Sequence, residues 1–185
     1  YAVLMDLVFS SWQDIPFTEN HIKQLHGILL KPSAKDERHR GHYKTINNHV
    51  EAFGPDGRSL GIVFQTATPF DTPRLMTELV DWTRAALEGS VHHPLLVIAV
   101  FVVRLLAIHP FQDGNGRLSR VLTTLLLLRT GYFYVLYSSL ERVIEDNKDE
   151  YYRTLRTAQS TMSSDQSLLD EWVVFFLKCL AKQRD

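Results

Sequence analysis

Two of the most apolar stretches in the chain, VIAVFVVRLLAI and VLTTLLLLR, are separated only by HPFQDGNGRLSR, residues 109–120. Both stretches look buried. The fold therefore has to seat a glycine-rich loop with a histidine, an aspartate, an asparagine and two arginines between two core helices. A membrane-spanning reading fails, because the longest apolar run, Leu95 to Ile108, has only fourteen residues and includes Arg104. A spanning helix needs about twenty.

The rest of the sequence supports a mainly helical single domain over residues 1–185, with its core at about 18–182. Its 185 residues suffice for a proper core, and 45% hydrophobic with 22% charged residues is ordinary for a globular protein. Thr18 is expected to cap a helix through ENHIKQLHGILL, Thr72 to cap a second as a hydroxyl before Pro73 at the first helical position, and His93-Pro94 marks another start. A helix from about Gly116 to Thr130 would stop at Gly131. Others are expected over Lys148 to Gln159 and Gln166 to Lys182. Residues 45–68 differ: their apolar positions alternate with polar ones around Pro55-Asp56-Gly57, which predicts a β-hairpin.

Other features narrow the chemistry. The net charge of −1 gives no general attraction to nucleic acid or an anionic membrane. Cys179 is the one cysteine, which excludes an internal disulfide and a multi-cysteine zinc site; it reads as a buried structural thiol. The opening YAVLMDLVF has no basic n-region, so a cytoplasmic location is expected. His39, His42, His49, His92 and His93 show no metal-ligand spacing and read as solvated, whereas Trp82, Trp172, Phe175 and Phe176 read as core.

The polar run resists the simpler explanations. A tight turn explains the glycines but leaves His109, Arg117 and Arg120 idle. A calcium loop fails in both registers. With Gly116 sixth, the first and twelfth positions are Phe111 and Leu122; with Gly114 sixth, they are His109 and Arg120. No glycine-lysine-serine/threonine follows, so a Walker loop fails too. An anion site uses every residue. Gly114 and Gly116 let backbone N–H groups turn inward where a helix begins, and a helix N-terminus suits phosphate. Arg117 and Arg120, three apart, project from one face with forks that match phosphate oxygens. Asp113 is placed to hold the Mg²⁺ that bridges polyphosphate oxygens, Asn115 offers a donor to phosphate, and Phe111 is an apolar anchor. His109 then faces the cradle as a general base.

The run resembles the signature of the Fic family, histidine-x-phenylalanine-x-aspartate-glycine-asparagine-glycine-arginine-x-x-arginine, at all its specified positions, and the likeness extends over nearly the whole chain. That resemblance implies a mainly helical Fic-type domain with a β-hairpin flap over the active site. It also implies transfer of AMP from ATP, with Mg²⁺, to a Ser, Thr or Tyr hydroxyl of a target protein. His109 would be the base and Asp113 the Mg²⁺ ligand. Asn115, with the backbone at Gly114 and Gly116, would hold the α- and β-phosphates. Arg117 and Arg120 would bind the outer phosphates.

By the same resemblance, GIVFQTATPFDTP fills the place of the flap. Val63, Phe64 and Gln65 would touch nucleotide or register an extended target strand, with Thr66-Ala67 where a di-proline is frequent. NKDEYYRTLRTAQ resembles the adenine and ribose wall, which gives nucleotide contacts to Tyr151, Tyr152 and Gln159; one tyrosine of the adjacent pair should be core. The family's inhibitory helix, serine/threonine-x-x-x-glutamate-glycine/asparagine, has no match here and is expected upstream of Tyr1. An antitoxin partner and a homodimer stay open. So do transfer of UMP, phosphocholine or phosphate, and a non-catalytic binding module with the same fold.

Overall fold

A computed structural model of the chain describes residues 1–33, 37–53, 58–162 and 168–185, without the side chains of 51–53 and 59–63. Among these residues the architecture is mainly helical, and α4 (Pro94–Ile108) and α5 (Asn115–Arg129) form its centre. Nine of the fifteen residues of α4 and eleven of the fifteen of α5 are buried, so neither helix keeps a solvent face of normal width. The remaining helices cover this pair. α1 (Ala2–Ser11) and α2 (Glu19–Leu30) pack on α5, while α3 (Thr72–Glu88), α7 (Lys148–Thr161) and α8 (Asp170–Arg184) pack on α4. The short α6 (Leu140–Asp146) bridges α7 and α8. No helix among the described residues is long and apolar enough to cross a membrane.

Local chemistry explains most of the boundaries. Thr18 is extended and its hydroxyl accepts from the His21 N–H, capping α2 as expected. His93 caps α4 through the Leu95 N–H, with Pro94 opening the helix. Gly131, at φ 92°, closes α5 just after its C-cap. Two sequence expectations are corrected. Thr72 does not cap α3: it is fully buried, its hydroxyl donates to the Thr68 carbonyl, and Asp71 stands at the N-cap. Trp82 is not core but 39% exposed, because α3 buries Met76, Leu79, Val80 and Thr83 and leaves the next row at the rim. There Trp82 lies with its ring 5.9 Å from the Arg104 guanidinium.

Trp172, by contrast, is buried and donates its indole N–H to the Ala99 carbonyl at 2.8 Å, which locks α8 to α4. Phe175, Phe176 and Cys179 are buried on the same helix. Neither α1 nor α6 was delimited by the sequence pattern, and α8 begins at Asp170 rather than Gln166, which lies outside the described residues. β1 (Val50–Phe53) pairs antiparallel with β2 (Ser59–Phe64), with Val50 opposite Phe64 and Phe53 opposite Ser59. The Pro55-Asp56-Gly57 turn lies outside the described residues, as does the Val63 side chain.

Candidate active site

The loop between α4 and α5 is held by residues distant in sequence. His109 ends α4 in the left-handed region, φ 52°, ψ 59°, a conformation that histidine tolerates better than most side chains but still at some cost. Its N–H closes on the Leu105 carbonyl, and Asn48 donates from Nδ2 to the carbonyls of His109 at 3.1 Å and Phe111 at 2.6 Å. Lys44, 4% exposed, donates from Nζ to the Ile108 carbonyl at 2.9 Å, Asn48 Oδ1 at 2.8 Å and Thr66 Oγ1 at 3.0 Å. Burial lowers this ammonium to about 8, so it stays mainly charged at neutral pH.

On the other side stands His26, fully buried and stacked on Phe111 with ring centroids 3.8 Å apart. The Gly41 N–H donates to His26 Nδ1, so Nε2 carries the proton and donates to the Asp113 carbonyl at 2.9 Å. Phe111 is itself fully buried, the apolar anchor the sequence suggested.

Gly114 turns the chain into α5 at φ 82°. A Cβ there would stand 3.4 Å from both Leu29 and Leu30 and 3.6 Å from His26 Nε2. Gly114→Ala is therefore expected to lower stability in urea denaturation by about 1–2 kcal/mol, the cost of a left-handed L-residue. An unchanged midpoint would contradict this backbone account.

The Asn115 side chain is placed differently from expectation. It is 2% exposed, its Oδ1 accepts from the Phe111 N–H at 2.9 Å, and its Nδ2 donates to the Phe111 carbonyl at 2.7 Å. It staples the loop. What position 115 presents at the helix start is its main-chain N–H, one of the donors that every α-helix leaves without an intrahelical acceptor.

Asp113 and Arg117 stand at the mouth of the loop, about half exposed. Asp113 Oδ1 accepts from the Gly114 N–H, and Oδ2 lies 3.5 Å from Arg117 Nη2. Among the described residues no three His, Cys, Asp or Glu side chains gather into a metal site. This donor set fits Mg²⁺ bound mainly by phosphate oxygens and water, with Asp113 as the protein ligand.

His109 is largely buried. Its Nδ1 lies 3.3 Å from the Leu106 carbonyl, which can only accept, so the proton sits on Nδ1 and the lone pair on Nε2. Burial lowers its pKa to about 4; Lys44 pushes the same way, and the Leu106 bond and Asp113 oppose it. A hollow of about 210 Å³ brings His109 together with Gly116 and Arg120, and Phe64, Tyr151, Tyr152 and Gln159 line it as well. Tyr151 is the buried tyrosine of the pair, edge-on to Trp172, while Tyr152 is half exposed. Arg156, which the sequence pattern did not single out, also lines the hollow. Gln65 instead lines a larger groove of about 880 Å³, shared by α3, α4 and the end of α7; Phe64 and Gln159 line both cavities.

Comparison with known proteins fits this geometry. Residues 16–127 match the Fic/DOC family. The chain belongs to that family. This Fic domain is 33% identical over 173 residues to the protein adenylyltransferase Fic of Drosophila willistoni, covering 94% of this chain and 30% of that protein. Identity to its namesake in Drosophila melanogaster is 32%, with the same coverage. The Fic domain thus spans under a third of the length of these relatives. Among solved structures, it superposes on a Fic domain containing signaling protein from Bacteroides thetaiotaomicron with a TM-score of 0.76 and 26% identity, covering 98% of this chain and 66% of that one.

Proposed function

We propose that this Fic domain transfers AMP from ATP to a hydroxyl of a target protein. The observation that carries this reading is the meeting, in one hollow, of a neutral imidazole, a helix N-terminus and the Arg120 guanidinium. His109 Nε2 would take the proton of the incoming Ser, Thr or Tyr hydroxyl. The hydroxyl oxygen would then bond to the α-phosphorus as the bond from that phosphorus to the bridging oxygen breaks, and pyrophosphate would leave. The main-chain N–H groups at Asn115, Gly116 and Arg117 would hold phosphate oxygens at the positive end of α5. Arg117 and Arg120 would neutralise charge on the departing pyrophosphate. Mg²⁺, held by Asp113 and the phosphates, would supply further charge neutralisation on the triphosphate.

The base and ribose would lie against Tyr151, Tyr152 and Gln159. The β1–β2 hairpin would serve as a flap, with Val63 and Phe64 at the end of its return strand, Gln65 just after it, and an extended target segment added beside it. Such a reaction needs ATP and a hydroxyl-bearing protein partner. Compared with lysate alone, adding the domain is expected to mark one or a few further proteins from α-labelled ATP and no further ones from γ-labelled ATP. Label transferred only from the γ-position would overturn the reading in favour of phosphate transfer.

A further inference from the structure

Arg120 does not reach the hollow unaided. Glu141, on the first turn of α6, accepts its Nε–H at 2.6 Å. The contact is on the inner edge of the guanidinium, so Glu141 leaves the two terminal nitrogens to other partners. One of them, Nη1, lies over the first turn of α5, 3.6 Å from where a Cβ on Gly116 would sit. Arg120 and Gly116 line the hollow, and Glu141 does not. The carboxylate is in turn held by α6, which Ser139 caps through the Arg142 N–H and Leu140 anchors by burial. The Tyr1 phenol stands beside the same pair, its pKa raised by burial and then by Glu141.

We infer that Glu141 is a positioning residue: it fixes the plane of the Arg120 guanidinium so that its terminal N–H groups point at the phosphate tail of a bound polyphosphate. An arginine freed from this contact would have to lose its rotamer freedom on binding, which weakens the complex. The opposite role, a carboxylate that competes with phosphate, would require Glu141 to take the terminal nitrogens or intrude into the hollow.

The inference rests on the anion site of the proposed reaction but not on its nucleotide, so inorganic tripolyphosphate is a suitable probe beside MgATP. Calorimetric titration should show affinity for both falling about tenfold in Glu141→Ala, the size expected for a coupled contact pair. Glu141→Gln, whose amide oxygen can still accept the Nε–H, should recover most of it. In an Arg120→Ala background, Glu141→Ala should have no further effect.

Tighter binding in Glu141→Ala would make Glu141 a competitor and overturn the inference. So would an equal loss in the Arg120→Ala background, an unchanged affinity in both Glu141 variants, or a wild-type protein that ignores tripolyphosphate. Wild-type binding of tripolyphosphate without ATP binding would refute the adenylyl-transfer reading and leave this one standing.

Discussion

Alanine at position 109 is expected to reduce AMP transfer by a factor on the order of 10²–10⁴, the usual contribution of a positioned general base, while ATP still binds. In the proposed reaction the imidazole would supply a proton acceptor at Nε2 and the phosphate donors would come from α5 and the arginines, so the two functions should separate. Loss of ATP binding together with transfer would mean that His109 holds the loop rather than the proton. The pH dependence gives a second readout. With its pKa lowered to about 4 by burial, His109 is already a free base through the mildly acid range. The acid limb of kcat/KM, which reports the free enzyme, should therefore lie near pH 4 rather than 6.5. Stability follows the same group. Between the folded and unfolded values the unfolded chain binds more protons, so stability rises with pH across that window. The contribution is complete above about 6.5 and disappears as pH falls through about 4, at most about 3 kcal/mol. Thermal melts of wild type and His109→Ala over this range should diverge accordingly. Parallel curves would contradict the burial.

Lys44→Met should give the largest loss of stability of the substitutions considered. Methionine fills the space of the stem but strips the donor from the Ile108 carbonyl, Asn48 and Thr66 at once. Buried oxygens without partners cost about 1–3 kcal/mol each where they stay unpaired, so a net loss on the order of 3 kcal/mol is expected. In a domain of this size that lowers Tm by roughly 6–12 °C. Because Ile108 directly precedes His109, transfer measured well below the melt should fall as well. A Tm within about 2 °C of wild type would show that water replaces the ammonium without difficulty.

Lys44 also marks where sequence reasoning ends. The segments that declared themselves did so through local chemistry: Thr18 and His93 at helix starts, Gly131 at a helix end, and the long apolar runs within α4 and α5. The site loop was legible because its glycines, carboxylate and arginines lie within twelve residues. Its supports carry no such signal. His26 reaches Asp113 across 87 positions, Lys44 reaches Ile108 across 64, and Glu141, on the short α6 packed on α8, reaches Arg120 across 21. None of the three sits in a distinctive spacing. Asn115 misled for a related reason: its type and position fit a phosphate donor, but Phe111 four residues earlier offers both a donor and an acceptor. Trp82 misled because helical spacing shows that a residue falls on a face, not how far the buried stripe extends.

The His26 imidazole joins three separate pieces of chain, the body of α2, the turn at Gly41 and the carbonyl of Asp113. A minimal version of this site could not be cut down to α4, α5 and α7, even though those helices and their ends bear nearly every residue that lines the hollow. Without α2, Phe111 would lose the ring stacked on it and the glycine turn its buttress. The helix α2, which puts no residue into the hollow, is thus structural foundation for it, and grafting the motif onto another helical hairpin would have to bring that foundation along.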